Sequence, residues 1–334
     1  MTTSLQQWKS QRSLIHGCIL ILGMTTMSTY AQESDVGVSP WGPTDEIGRL
    51  NLMSPESRSA IVSRIDPSVT YDLSVEYYVG MPSFQALGDP AYQFWMTHTP
   101  NGTIVDNPNG EGREVNERVT YSGAAVSMYT HMGTHIDTLN HFGLNGKIWN
   151  GYSAQEYLGD RGWRVTGAEK IPPIVARGVL IDVPAAKGLE MLGDNYRVTR
   201  QDLIDALDRQ QVELEEGDVV LVRTGRLRLY EDAAAYMANT TGLGLDAGRY
   251  LVDEGGAMVV GLDTLGEASP SDVQGNYVPV HTYLLAQRGA PILELVYMED
   301  LSDEGIYEFA FVGGSLKLRG ADAAPMRPIA FRLR

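Results

Sequence analysis

Eleven residues constrain this chain more than any others: His131-Met132-Gly133-Thr134-His135-Ile136-Asp137-Thr138-Leu139-Asn140-His141. They hold three of the six histidines in the 334-residue sequence, together with one aspartate. Imidazole nitrogens and a carboxylate are preferred ligands of zinc-like divalent ions, so the fold has to bring this stretch to one point. Glycine and two threonines within eight residues disfavour a regular helix. An extended backbone instead aims His135 and Asp137 the same way, because alternate residues of a strand share a face. Gly133 permits a turn that other residues resist, which would return His131 to His135. Thr134 is placed to steady a ligand through a hydrogen bond. A purely structural role suits a lone histidine better than a cluster of three. Three ligands leave a divalent ion an open position for water, the usual arrangement of a catalytic site. His141 titrates near neutrality when unperturbed; it is read either as the acid/base or as a fourth ligand.

Cysteine usage narrows the metal chemistry. The one cysteine, Cys18, lies in a segment that reads as a signal peptide. Lys9 and Arg12 form a positive start, Ile15 to Met27 a short apolar run, and Thr29-Tyr30-Ala31 a small-residue cleavage site. Residues 1–31 are therefore expected to be removed, leaving a periplasmic or secreted protein with no membrane span and no thiol. Any metal is then held by His, Asp and Glu. Cleavage removes Lys9 and Arg12 and no acid, so the formal charge moves from −16 to −18. A chain this acidic does not bind nucleic acid by counterion release, and the expected partner is a small molecule. No Walker or Rossmann fingerprint is present, and Ser122 lacks a G-x-S-x-G context.

Hydrophobic patterning places the elements. Residues 32–40 are polar and expected to be disordered. Ser54-Pro55 opens a helix through about Arg64. Thr70 to Val79 is expected as a strand, and residues 80–120 as loops around short strands. Ala124 to Tyr129 reads as a strand delivering its end to the histidines. Short apolar runs predict buried strands at Gly178–Val183, Asp218–Arg223, Met258–Leu262 and Ile292–Val296, with Ile306–Val312 as the last strand. Thr199 with Asp202 resembles a capping box, and further helices are expected at Ala247–Glu254 and Val280–Gln287. Strands alternating with helices after a strand-rich first half argue for a single α/β or α+β domain rather than a plain doubly wound sheet. His98, beside Phe94 and Trp95, is a candidate for a pocket wall.

The histidine stretch resembles the H-x-G-T-H-x-D-x-P-x-H signature of the cyclase family of metal-dependent hydrolases, which includes bacterial kynurenine formamidase and isatin hydrolase. It departs from that signature only at Leu139, where the signature has proline. Other segments agree in order: Asp72-Leu73-Ser74 with Gly80-Met81-Pro82, Gly146 to Gly151, Gly217 to Gly225, and Val260 to Thr264. The similarity runs from about residue 68 to residue 312. It implies a compact, β-rich α/β domain of the swivelling β/β/α type spanning residues 68–334, preceded by an N-terminal extension at 32–67. It also directs attention to His281 and Glu294. Glu294 stands in an apolar run, where a carboxylate needs a partner, either a metal or an arginine. By resemblance, His131, His135 and Asp137 hold one ion, and Asp137 and Glu294 bridge to a second held by His281. His141 is then the acid/base. Zn2+ and Mn2+ both suit this donor set, as one ion or two, and the family forms homodimers or homotetramers.

These readings lead to one expected function, the hydrolysis of an amide or ester bond, cyclic amides and lactones included, by metal-activated water. A cyclase or dehydratase using the same site, or a non-catalytic periplasmic binding protein, are the alternatives.

Overall fold

Nine strands of the computed structural model, which describes residues 35–334, form one mixed sheet. Numbered along the chain they are β1 (Ile65–Asp72), β2 (His135–Asp137), β3 (Ile174–Asp182), β4 (Val219–Arg223), β5 (Val259–Leu262), β6 (Ile292–Glu294), β7 (Glu308–Gly313), β8 (Ala323–Pro325) and β9 (Ile329–Leu333). Their order across the sheet is β1-β9-β7-β3-β4-β5-β6-β2-β8. The four central strands, β3 to β6, run parallel, and every neighbour outside them is antiparallel. The expected signal-peptide residues lie outside the described residues.

The parallel strands form where the sequence shows uninterrupted apolar runs, as expected for strands covered on both sides. Alternation divides their side chains. Val179, Ile181, Val220, Val222, Val260, Leu262 and Ile292 enter one core with Leu203, Ala206 and Leu207 of the helix Arg200–Gln210 and with Ala247, Leu251 and Leu284. Leu180, Val219, Leu221, Val259 and Leu293 face a second core. That second core also receives Tyr71 from β1, Ala330 from β9 and Ile136 from β2. Strands near both ends of the sheet contribute to one cluster, so the sheet curls around it as a half-barrel.

Several expectations are corrected. The first strand is Ile65–Asp72, not Thr70–Val79. Gly123–Ser127 is a strand, but it pairs with Gln93–His98 in a separate ribbon and stops short of the histidines. Residues 80–120 contain two helices, Pro100–Asp106 and Arg113–Arg118; Thr99 caps the first by accepting a hydrogen bond from Gly102 N, with proline next in the chain. The strand at Ile292 ends at Glu294 because Leu295 turns into the left-handed region (φ 51°). The strand at 308 is not the last, since β8 and β9 follow and complete the sheet. Both late helices open into wider π-helical turns, at Tyr250–Glu254 and Thr282–Gln287. Residues 37–39 are ordered: Gly37 N donates to Ala286 O, and Ser39 Oγ donates to Asp45 at 2.7 Å. The capped helices at Pro55–Ser63 and Arg200–Gln210 form as the sequence implies.

Residues of the segment before β1 belong to the same packing. Leu50 and Met53 enter the second core, Arg49 Nε donates to Ala257 O at 2.6 Å, and Asp45 accepts from Trp149 Nε1 at 3.0 Å.

One buried ion cluster ties the parallel centre together. Arg223, at the end of β4, stands in register with Asp182 at the end of β3. It donates to Asp182 Oδ1 at 3.0 Å and twice to Glu299, at 2.8 Å each. Removing one member of a buried ion cluster leaves the others uncompensated, which costs about 3–5 kcal/mol. Arg223→Met is therefore expected to lower the unfolding free energy by roughly that amount, read as a fall in the urea midpoint. A midpoint equal to that of the wild type would show that Asp182 and Glu299 do not need the guanidinium.

Candidate metal centre

Strand pairing assembles the site. Within β2, Ile136 faces the second core, so His135 and Asp137 point together to the opposite side. β2 lies antiparallel beside β6 with Glu294 opposite His135 and Ile292 opposite Asp137. Residues directly opposite in a sheet share a face, so Glu294 joins His135 and Asp137. Gly133 makes the turn before β2 with φ 60°, and a Cβ there would come within 2.4 Å of the Tyr77 ring. The turn folds His131 back, with Nδ1 2.7 Å from Asp137 Oδ1. His281 arrives from the short helix Pro279–His281, with Nε2 3.2 Å from Glu294 Oε1 and 3.5 Å from Asp137 Oδ2. His135 Nε2 stands 3.2 Å from Asp137 Oδ1 and 3.3 Å from Glu294 Oε2. Asp137 thus has His131 and His135 on one oxygen and His281 on the other, and Glu294 lies between His135 and His281.

All five sequence-derived candidates therefore converge, and they converge without satisfying one another. Among the described residues, His131 Nε2, His135 Nε2, both Asp137 oxygens and Glu294 Oε1 are buried side-chain atoms that make no hydrogen bond. Buried polar atoms are ordinarily hydrogen-bonded, and the orphaned atoms of His135, Asp137 and Glu294 fit a bound cation; His131 faces the same carboxylate through Nδ1, while its Nε2 lies toward Asp322 at 3.5 Å. The donor set, three imidazoles and two carboxylates, is one that divalent ions accept.

Electrostatics give the same sign. Burial opposes charge on His135, yet Asp137 and Glu294 raise its pKa to about 10. His131 behaves alike: burial works against the charge, and Asp137 raises the pKa to about 9. Burial also works against the carboxylates, but the surrounding histidines hold Asp137 and Glu294 below the ordinary range. The field of these carboxylates draws positive charge into the pocket. His141 differs, since burial dominates and lowers its pKa despite Asp137.

His141 is also placed differently. Its ring packs on His131 with centroids 3.8 Å apart, and its Nδ1 lies 3.9 Å from Asp322 Oδ2. It belongs to the wall of a cavity of about 550 Å³, together with His131, His281 and Glu294. The lining also includes the apolar or aromatic Phe84, Leu87, Phe142 and Tyr277, of which Phe142 packs on His141 and His281; no Lys or Arg of the described residues lines it. None of residues 40–67 lines the cavity either. His98, Phe94 and Trp95 are also absent from the lining, because they sit on the exposed ribbon. Thr134 donates to Leu295 O at 2.7 Å and accepts from Val75 N at 2.9 Å. It therefore braces the backbone around the site rather than a ligand side chain.

Two acids escaped the sequence reading. Asp322 precedes β8, which pairs with β2; it accepts from Thr130 Oγ1 at 3.1 Å and lies 3.5 Å from His131 Nε2. Glu267 follows β5, with Oε2 3.2 Å from His281 Nδ1. Neither lies in a recognisable motif. Asp322 is a lone acid in Gly320-Ala321-Asp322-Ala323-Ala324, and Glu267 stands in Gly266-Glu267-Ala268-Ser269.

Residues 71–267 match the family model Cyclase, described as "Putative cyclase". A comparison with curated proteins gives no match. Among solved structures, a novel cyclase superposes with TM-score 0.78 at 26% identity, covering 89% of this chain and 100% of that one. Isatin hydrolase A from Ralstonia solanacearum gives 0.60 at 19% identity, covering 78% and 91%. A predicted metal-dependent hydrolase from Bacillus stearothermophilus gives 0.51 at 23% identity, covering 79% and 98%. The last two likenesses concern the fold.

The raised histidine pKa values fix how metal affinity should depend on pH. With pKa values of about 9 and 10, His131 and His135 carry protons at pH 7 in the metal-free protein. A metal must displace those protons. Apparent affinity is therefore expected to rise from pH 6 to 8, by about tenfold per pH unit for each displaced proton, and to level off above pH 9–10. Competition titrations with a chelator read this directly, and an affinity independent of pH would contradict the protonated histidines.

Proposed function

This chain belongs to the cyclase family, and on that premise we propose that it is a metal-dependent hydrolase cleaving an amide or ester bond, cyclic amides and lactones included, of a small molecule. The observation that carries the proposal is the set of orphaned donor atoms on His131, His135, Asp137 and Glu294, buried beside a cavity that His131 and Glu294 themselves line. Isatin hydrolase A and the predicted metal-dependent hydrolase share this fold, and the proposal assigns this chain the same reaction class.

His131, His135 and Asp137 would hold one divalent ion, and His281 with Glu294 a second, with Asp137 shared between them. Zn2+ and Mn2+ both suit such ligands. When bound, the metal supplies Lewis-acid polarisation of the scissile carbonyl and a water of lowered pKa. The residues do the rest. Phe84, Leu87, Phe142 and Tyr277 of the lining offer apolar contact to the body of the substrate. His141, neutral at pH 7 because burial lowers its pKa, takes a proton from the attacking water at a ring nitrogen and returns it to the leaving group. Asp322, 3.9 Å from His141 Nδ1, favours the protonated ring that forms in between.

His135→Ala is expected to lose both bound metal, by elemental analysis, and turnover on a panel of lactams, lactones and N-acyl arenes. His141→Ala should keep the metal and lose about 10²–10⁴-fold in turnover. In 18O-water, one heavy oxygen should enter the product carboxylate. A product without 18O would replace hydrolysis by cyclisation or dehydration, and metal binding without turnover would leave a binding protein.

We further propose that the protein is exported and self-associates as a homodimer or homotetramer. Export is supported by the charged start, apolar run and small-residue site of residues 1–31. Association is supported by the ribbon Gln93–His98/Gly123–Ser127, on which Phe94, Trp95, Met96 and Val126 are all about half exposed. A two-stranded ribbon is marginal alone, and exposed apolar side chains on both of its faces offer a surface for a second copy of the chain. Native mass spectrometry of protein recovered from the producing cell should show two or four chains, each beginning at Gln32. Monomers, or chains retaining Met1, would refute the corresponding half.

A further inference from the structure

We propose that Glu267 is the positioning residue that sets the metal affinity of the His281 half of the site, by holding the imidazole with Nδ1–H directed at its carboxylate and Nε2 presented to Asp137 and Glu294. The inference rests on the reading of His281 as a ligand.

Glu267 is rigidly placed. Leu243 N donates to Gly266 O at 3.0 Å, and Ala268 N to Leu243 O at 3.2 Å, so the backbone is pinned on both sides of the residue. The side chain is buried, only 8% exposed. One oxygen, Oε2, accepts from the backbone N–H groups of Val280 and His281, both at 2.9 Å, and lies 3.2 Å from His281 Nδ1. The same carboxylate thus fixes the start of the helix that carries His281 and the ring itself. Gly266 permits this approach, since a Cβ there would come within 2.7 Å of His281 Cε1 and 3.2 Å of Glu294 Oε1, at a φ of 77°. The other oxygen, Oε1, is buried without a hydrogen bond. The negative charge is therefore balanced by those three donors and by any cation held across the ring.

The other half of the site is built differently. His135 Nδ1 faces a backbone carbonyl, Gly133 O, at 2.8 Å. A carbonyl orients an imidazole as well as a carboxylate does, but a carboxylate also raises the basicity of the opposite nitrogen. The halves thus differ in degree: His281 Nδ1 has a buried carboxylate at 3.2 Å, His135 a carbonyl dipole, and His131 Nε2 the part-exposed Asp322 carboxylate at 3.5 Å. Partners of this kind typically carry 10–100-fold in metal affinity.

The test uses the full mature chain, stripped of metal and titrated with Co2+ and with Zn2+ against a competing chelator. Wild type should take up two equivalents, and His281→Ala should weaken one of them. Glu267→Gln keeps a carbonyl acceptor for the two backbone N–H groups but removes the charge. It should weaken that same equivalent about 10–100-fold and leave the other within about twofold. In the cobalt-loaded wild type, the His281 Nδ1–H should appear as a shifted, slowly exchanging proton resonance, independent of how any variant folds. The proposal is overturned if Glu267→Gln binds both equivalents like wild type while His281→Ala does not. It is equally overturned if Glu267→Gln weakens both equivalents alike, which marks a structural residue, or if the resonance exchanges freely with solvent. If His281→Ala leaves both affinities unchanged, the ligand reading of His281 fails first, and the role of Glu267 falls with it.

Discussion

The pairing of β2 with β6 is the constraint on which the site depends. Two strands of three residues each place His135 opposite Glu294, and the pleat sends Asp137 to the same side. Shifting such a pairing by one residue would turn every side chain to the other face, putting Ile136 in the site and His135 and Asp137 in the apolar core. Register is therefore held hard. Thr134 ties the start of β2 to Leu295 O just beyond β6, and β8 secures the other edge. Leu295, in the left-handed region, ends β6 immediately after the carboxylate it delivers.

Chain direction explains why the chemistry collects where it does. In parallel sheets, functional groups gather beyond the carboxyl ends of the strands. Glu294 ends β6, and Glu267 follows β5 by a short loop. β2 runs the opposite way, so its amino end, with His131 and His135, lies beside the carboxyl end of β6. The motif is thus read at the start of its strand while its partners come at or after the ends of theirs. The carboxyl ends of β3 and β4 carry charge too, but there Asp182 and Glu299 are balanced by Arg223 and by Arg228, whose Nε lies 2.8 Å from Glu299 Oε2. Those ends consolidate the fold, whereas the carboxylates near β6 and β2 are balanced only by histidines that a metal would deprotonate.

Much of this was legible in the sequence where the information is local. His131, His135 and Asp137 lie within seven residues, and the two-residue spacing of the last pair implies the shared face that the strand provides. The parallel strands were legible because their uninterrupted apolar runs report burial on both faces. His281 was reached through family resemblance, and Glu294 through that and its place in an apolar run, since nothing nearby in sequence reveals that residue 294 pairs with residue 135. Asp322 and Glu267 carry no local signal: one depends on Ala323-Ala324-Pro325 forming an edge strand, the other on a loop pinned by Leu243. β8 and β9 were missed for a related reason. β8 is too short to show a period, and β9 interrupts its apolar residues with Arg332.

Stability and chemistry are balanced differently in the two halves of the molecule. A buried charge is tolerated when hydrogen bonds or an opposite charge compensate it. Asp263 shows the compensated case, accepting from Thr224 N, Thr224 Oγ1 and Gly225 N at 2.7–3.1 Å. Asp137 is buried to the same degree, yet neither of its oxygens makes a hydrogen bond. The chain therefore has the means to satisfy a buried carboxylate at the end of a strand and does so at β5. At β2 it leaves the carboxylate to three imidazoles, 2.7, 3.2 and 3.5 Å away. That contrast, between two buried aspartates in one sheet, separates a carboxylate satisfied by backbone and hydroxyl donors from one met only by imidazoles.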